Sequence, residues 1–279
     1  MCIRDRLIIL IIISAVEKLI SGLESVYDVL TSLEKLGGVV DKELEPMDGE
    51  RPFKENEKFT NDLEDVTYEV PGRNTPIINN ISLKMSKKCS MVIRGENGSG
   101  KSTLLRLMAG IVEPTHGNIY INNTDLRGIN LNYYRSHIGQ SLTEESPFEG
   151  TLRDNITFGD PEISDEQIYW ALEKVGLNSF LKKLPSGLKT VLFPEGKQLS
   201  YTVSKKIVLA RSIVREPQLL ILKDPLDQFD DNEAQRIMDF LTDDNCGWSL
   251  IVVSQNPSWV TKCTRLITLD QGKLIEDKK

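Results

Sequence analysis

Aliphatic residues dominate the start of the chain, where residues 7–15 are apolar except for Ser14. Apolar residues then recur at helical spacing, at Val16, Leu19, Ile20, Leu23, Val26, Tyr27, Leu30, Leu33 and Leu36. That spacing predicts an amphipathic helix over 16–36, and Gly37-Gly38 is expected to stop it. Residues 39–58 are polar, Glu-rich and punctuated by proline, which reads as a linker. Beyond it the periodicity changes. Residues 78–85 and 89–94 read as strands, and 101–109, 164–175 and 203–214 as helices. Residues 219–222 and 250–253 are short, wholly apolar strands. Apolar runs without alternation, separated by helices, indicate a parallel sheet covered on both faces, so the fold class is expected to be α/β.

The N-terminal apolar run is too short to cross a bilayer, which takes roughly 20 residues. Arg4 and Arg6 precede it as in a signal peptide, but no small-residue cleavage site follows. The preferred reading is the cytoplasmic end of a transmembrane helix whose beginning is absent. Residues 1–6 then form a non-native leader, with the look of a translated adaptor joined to a truncated gene.

A length of 279 residues gives room for one large domain plus an appendage. The net charge of −7 speaks against nucleic acid as a partner, since that needs a basic face. Cys2, Cys89, Cys246 and Cys263 lack metal-ligand spacing and read as free thiols in a reducing cytosol. His116 and His137 are the only histidines, which leaves little room for chemistry built on a histidine pair. His116 lies in a Pro-Thr-His-Gly stretch and is expected to be a solvated turn residue.

One motif carries chemistry outright. Gly95, Glu96, Asn97, Gly98, Ser99, Gly100, Lys101 and Ser102 match G-x-x-x-x-G-K-[ST] between an expected strand and an expected helix. Thr103 follows and completes this part of the candidate nucleotide-binding set. Glycines let backbone N–H groups turn inward around phosphate oxygens, and the helix N-terminus adds positive potential. Lys101 is expected to reach the β- and γ-phosphates, and the Ser102 hydroxyl to coordinate Mg²⁺.

From about residue 59 to 276 the sequence resembles the ATP-binding cassette family, in its exporter branch. The stretch 138–156, ending Phe-Glu-Gly-Thr-Leu-Arg-Asp-Asn-Ile, is similar to the exporter segment after the family's Q-loop, and Leu199-Ser200 begins its signature motif. Residues 206–211 and Pro217 resemble the helix and turn leading to the Walker B strand, here 219–222. The helix at 16–36 is similar to the tail of an exporter's last transmembrane helix. The resemblance implies a P-loop NTPase fold with a parallel-sheet core, an antiparallel β subdomain and a helical subdomain, preceded by a membrane-proximal helix. It divides the chain into 1–22 (leader and truncated span), 23–57 (helical and polar linker) and 58–279 (nucleotide-binding domain). It also implies ATP and Mg²⁺ as cofactors, a transmembrane domain and a second ABC subunit as partners, and a place at the cytoplasmic face of the membrane.

Several family positions are altered. Thr143 stands at the Q-loop glutamine, with Gln140 three residues earlier as a displaced substitute. The signature Leu-Ser-Gly-Gly-Gln becomes Leu199-Ser200-Tyr201-Thr202-Val203. Its glycines matter because backbone must approach the γ-phosphate of the partner's ATP, so Tyr201 and Thr202 add bulk while Ser200 can still donate. Lys223 replaces the Walker B aspartate, and Asp224 holds the catalytic glutamate's position. Successive residues on an extended chain point to opposite faces, so Asp224 is expected to face away from Lys223. Gln255 replaces the switch histidine; Asp224 and Gln255 are thus the candidate catalytic positions. At the adenine end Val70 takes the stacking aromatic's place, leaving Tyr68 as fallback.

These features favour the ATP-binding subunit of an exporter with weak hydrolysis. An ATP-sensing or structural module with little turnover is the second reading. A P-loop kinase is a third, but the exporter landmarks occupy the sequence its arginine-bearing lid would need. Because the family's cassettes meet head to tail, the altered motifs point to a heterodimer with an intact partner.

Overall fold

A computed structural model of the protein describes residues 3–42, 45, 48–53, 59–142 and 145–278. The chain separates into two compact units, Met1–Glu45 and Pro46–Lys279.

In the first unit a single helix, α1 (Ile3–Val40), joins the N-terminal apolar run to the amphipathic stretch. Leu19, Leu23, Val26, Leu30 and Leu33 all lie exposed along it. The expectation that Gly37-Gly38 stops this helix fails: it runs to Val40, and the Asp41 N–H donates to the Gly37 carbonyl at 2.8 Å. A helical glycine costs only about 1 kcal/mol relative to alanine, too little to end a helix by itself. Among the described residues no helix is long and apolar enough to cross a membrane.

The second unit runs through β1 (Asn61–Tyr68), β2 (Ile78–Met85), β3 (Ser90–Gly95), α2 (Lys101–Met108), β4 (His116–Ile121) and β5 (Thr124–Asp125). Next come α3 (Leu131–Ser136), β6 (Ile138–Ser141), β7 (Gly150–Thr151), α4 (Leu152–Thr157), α5 (Asp165–Lys174), α6 (Asn178–Leu181) and β8 (Val191–Leu192). It closes with α7 (Tyr201–Ile213), β9 (Leu219–Lys223), α8 (Asp231–Leu241), β10 (Ser249–Val253), α9 (Ser258–Lys262), β11 (Arg265–Asp270) and β12 (Lys273–Lys278). Among the described residues, six strands form the central sheet in the order β12-β11-β3-β10-β9-β6, parallel throughout except for edge strand β12. An antiparallel sheet, β2-β1-β4-β5, and the helices α4 to α7 flank it, as the resemblance implied.

Strand periodicity builds two cores, because alternate residues face opposite sides of a sheet. Met91, Ile93, Ile221, Ile251 and Val253 point toward α2 and the antiparallel sheet, packing with Leu63, Ile81, Leu104 and Met108. Val92, Leu220, Leu222, Leu250 and Val252 point the other way, toward Ile156, Leu172, Ile207 and Ile237 of the helical layer. Part of the stretch read as linker is built into this unit. Glu50 bridges to Ile129, and buried Phe53 stacks on His137 with ring centroids 4.6 Å apart. His116 is exposed, but it begins β4 opposite Thr67 rather than sitting in a turn. Cys89, Cys246 and Cys263 are free thiols, as expected.

Candidate functional site

The candidate site lies at the carboxyl ends of β3, β10 and β9, which are adjacent and parallel. Ligands of open α/β sheets gather at such strand ends. Strand β3 delivers Gly95, and the chain loops into α2 at Gly100. Both glycines are required. Gly95 has φ of 150°, and a Cβ there would strike the Leu269 carbonyl; Gly100 has φ of 98°, and a Cβ would meet the Ile77 carbonyl at 2.8 Å. Gly98 is different, with φ of 85° and open space beside it, so there the backbone itself forms the wall.

Lys101 holds the loop together. Its ammonium donates to the carbonyls of Gly95 at 2.8 Å and Glu96 at 2.6 Å, and to Ser99 Oγ at 3.3 Å. No side chain caps α2, whose first backbone bond runs from Leu104 N–H to the Gly100 carbonyl. Thr151, Ser164 and Ser200, by contrast, cap α4, α5 and α7 with their hydroxyls. The first-turn donors of α2 therefore point into the site with positive potential behind them.

A cleft of about 330 Å³ opens over this loop. Asn97, Gly98, Gly100, Lys101, Ser102 and Thr103 form one wall; Lys223, Asp224, Ser254 and Gln255 form the other. Its size suits a small-molecule ligand, whose pockets span about 300–1,000 Å³. Gln255 Nε2 donates to the Gly95 carbonyl at 2.7 Å, and Arg94 donates to the Gln255 carbonyl at 3.2 Å. Glu96 and Ser99 serve the loop's internal bonding rather than the cleft wall.

Lys223 and Asp224, expected to face apart, both line this cleft. Strand β9 ends at Lys223, and Asp224 turns into the left-handed region with φ of 44°, its N–H donating to the Val253 carbonyl at 2.8 Å. The alternation rule lapses where extended geometry ends, which lets successive residues border one cleft. Burial raises the Asp224 pKa, with Asp227 adding to the rise and Lys223, Lys101 and Lys205 opposing it. Burial likewise lowers that of Lys101, against the pull of Asp224 and with the push of Lys223.

Other candidates lie elsewhere. Tyr68, at the end of β1, packs against the core on the antiparallel side, while Val70 is exposed. Gln140 sits on β6, opposite Ile221 and outside the cleft wall; Thr143 lies outside the described residues. Leu199 packs against the helical-layer core. Ser200 Oγ accepts from the Val203 N–H at 3.3 Å, and exposed Tyr201 has the Lys205 ammonium 5.6 Å from its ring centre. Helix α7 therefore starts two residues before the expected Val203. Sequence reasoning missed Asp227, which shares a second pocket of about 190 Å³ with Asp224 and Gln255. The signal was available: Asp224-Pro225-Leu226-Asp227 directly follows an apolar strand.

Loop, helix end and Lys101 fit the phosphates of a nucleotide. A divalent ion fits poorly. Hard cations bound by protein favour carboxylate oxygens, and among the described residues this cleft wall offers one carboxylate, Asp224, whose charged form burial disfavours, beside Lys101 and Lys223; its other side-chain oxygens, on Asn97, Ser102, Thr103, Ser254 and Gln255, are neutral.

Fold and loop together define a P-loop nucleotide-binding protein. Residues 78–227, more than half of the chain, match the family described as ABC transporter, and the chain belongs to that family. Members of the family bind ATP with Mg²⁺. The chain is 30% identical over 244 residues to a putative export ATP-binding/permease protein of Rickettsia bellii, covering 87% of this chain and 42% of that protein. It is 28% identical over 265 residues to the ATP-dependent permease MDL1 of Candida albicans, covering 93% and 37%. Human ATP-binding cassette sub-family B member 5 is 28% identical over 218 residues, covering 78% and 17%. The fold is shared with a bacterial Atm1-family ABC exporter solved with ATP bound, at a TM-score of 0.79 and 22% identity, over 90% of this chain and 44% of that one. The chain thus spans less than half the length of these relatives.

Proposed function

We propose that this chain is the ATP-binding part of an exporter, coupling ATP binding and weak hydrolysis to transport through a transmembrane domain, at the cytoplasmic face of a membrane. The observation that carries the reading is the phosphate loop, with Lys101 and the uncapped start of α2 facing one cleft. In that cleft backbone donors of the loop and Lys101 hold the phosphates, and Ser102 and Gln255 offer further polar contacts. Hydrolysis is expected to be slow. Lys223 places positive charge where the family has a metal-binding carboxylate, and Asp224, one methylene shorter than the family's glutamate, would hold an attacking water differently. Gln255 can hydrogen-bond a γ-phosphate but brings no charge. The same observations favour a second reading, an ATP-binding regulatory or structural module with almost no turnover.

Titration of the full chain with a fluorescent ATP analogue tests the binding claim. Lys101→Ala is expected to weaken binding at least about tenfold, since charged hydrogen bonds to phosphate are strong. Unchanged binding in that variant refutes the reading.

A further inference from the structure

The poor fit of the cleft to a divalent ion has a counterpart in what it contains instead. Lys223 terminates β9 in register with Val253, and the Asp224 N–H bond to the Val253 carbonyl pins the chain immediately after it. Lys223, partly exposed at this fixed strand end, lines the cleft wall across from Lys101, Ser102 and the start of α2. An ammonium is a compact charge with three donors, able to meet oxygens of one or two phosphates without a fixed coordination geometry. We propose that Lys223 is a built-in counter-cation, so that this site takes a nucleoside triphosphate without a divalent metal.

The inference rests on the reading of the loop as a nucleotide site. It follows from charge. A triphosphate entering a partly desolvated cleft needs cations close to its β- and γ-oxygens. Lys101 supplies one from the loop and Lys223 a second from the opposite wall. The two already influence each other, since Lys223 adds to the depression of the Lys101 pKa that burial begins. A phosphate group between them would relieve that repulsion. A metal-loaded nucleotide would instead bring a divalent ion up to Lys223, adding like charge where, among the described residues, Asp224 is the one carboxylate on the cleft wall and burial disfavours its charged form.

The test compares ATP affinity of the full chain, read with a fluorescent analogue, in excess EDTA and in saturating Mg²⁺. Affinity in EDTA is expected to equal or exceed that in Mg²⁺. Lys223→Met should weaken binding in EDTA by about tenfold or more, with no rescue by Mg²⁺. Lys223→Asp should bind poorly in EDTA and recover when Mg²⁺ is added, with circular dichroism confirming that both variants fold. Wild-type affinity that rises about tenfold or more on adding Mg²⁺ overturns the role of Lys223 while leaving the nucleotide site intact. So does a Lys223→Met variant that binds like wild type in EDTA. Failure of the wild-type chain to bind in either condition removes the nucleotide reading, and this inference with it.

Discussion

Gln255 and Gly95 are joined by a 2.7 Å hydrogen bond, the side-chain amide of the first donating to the backbone carbonyl of the second. The bond links the segment after β10 to the first residue of the phosphate loop. It also leaves the Gln255 side chain on the wall of two adjoining pockets, one over the loop and one beside Asp227.

Replacing Gln255 by Ala should therefore cost nucleotide affinity more than stability. Lys101 still donates to the Gly95 carbonyl, so no acceptor is orphaned. One neutral bond is worth about 0.5–1.5 kcal/mol, or roughly a three- to tenfold loss in affinity. Analogue titration beside urea unfolding measures both; unchanged affinity would detach Gln255 from the site.

Steady-state turnover of the chain without a partner should fall below about one per second, the low end of ordinary enzymes. Lys223→Asp alone should restore little, because metal, water and γ-phosphate positioning act as a unit. Rates of tens per second would contradict the account of Lys223, Asp224 and Gln255.

We propose a heterodimer, and co-expression with the partner cassette can test it. One composite site then combines this loop, Lys223 and Gln255 with the partner's signature; the other combines the partner's Walker motifs with Leu199, Ser200 and Tyr201. Turnover should reside at the second. Mutating the partner's P-loop lysine is expected to abolish ATPase activity, and Lys101→Ala to reduce it only modestly. The reverse pattern would refute the assignment.

Gly139 on β6 tests the packing of the parallel edge. A Cβ there would collide with the Ser212 carbonyl of α7 and come within 2.9 Å of Leu220 and Pro217. Backbone cannot yield as a side-chain tip can, so Gly139→Ala should destabilise the fold by about 3 kcal/mol. Chemical denaturation is the measurement, and a shift under about 0.5 kcal/mol would show that β6 and α7 separate easily.

Alkaline pH provides another handle. Burial pushes the Cys263 thiol up to about 12. An unfolded cysteine titrates near about 8.5, so above that pH the unfolded chain has shed a proton that the folded chain retains. The thiol's contribution to stability is complete below about 8.5 and is lost as pH rises toward 12. Cys263→Ala should make the unfolding free energy fall less steeply between pH 8 and about 10 than it does in wild type. Parallel slopes would show that Cys263 is not desolvated.

Much of this architecture is legible in the sequence because its signals are local. The apolar residues of β9 and β10 announce strands buried on both faces, and Gly95 to Ser102 announces its own geometry. The antiparallel strands are harder to read. Strand β1 changes register between Leu63 and Val66, and Asp65 adopts a positive φ, so its alternation breaks halfway. The turn at Asp224 carries no glycine to advertise a left-handed residue, which hid that Lys223 and Asp224 border one cleft. The Gln255–Gly95 bond joins residues 160 apart in sequence, beyond the reach of any periodicity. At Gly37-Gly38 a local signal was present but weak, and helix continuity overrode it.

The uncapped start of α2 makes the ligand part of the fold's thermodynamics. Where hydroxyls close the helices α4, α5 and α7, here the first-turn donors are left open to an anion, and only the folded chain assembles that set of donors. Folding and occupancy are then linked by mass action, gaining RT ln(1 + [L]/Kd), about 2.7 kcal/mol at a hundredfold excess over Kd. The melting temperature of this chain is accordingly a function of nucleotide concentration rather than a constant of the sequence.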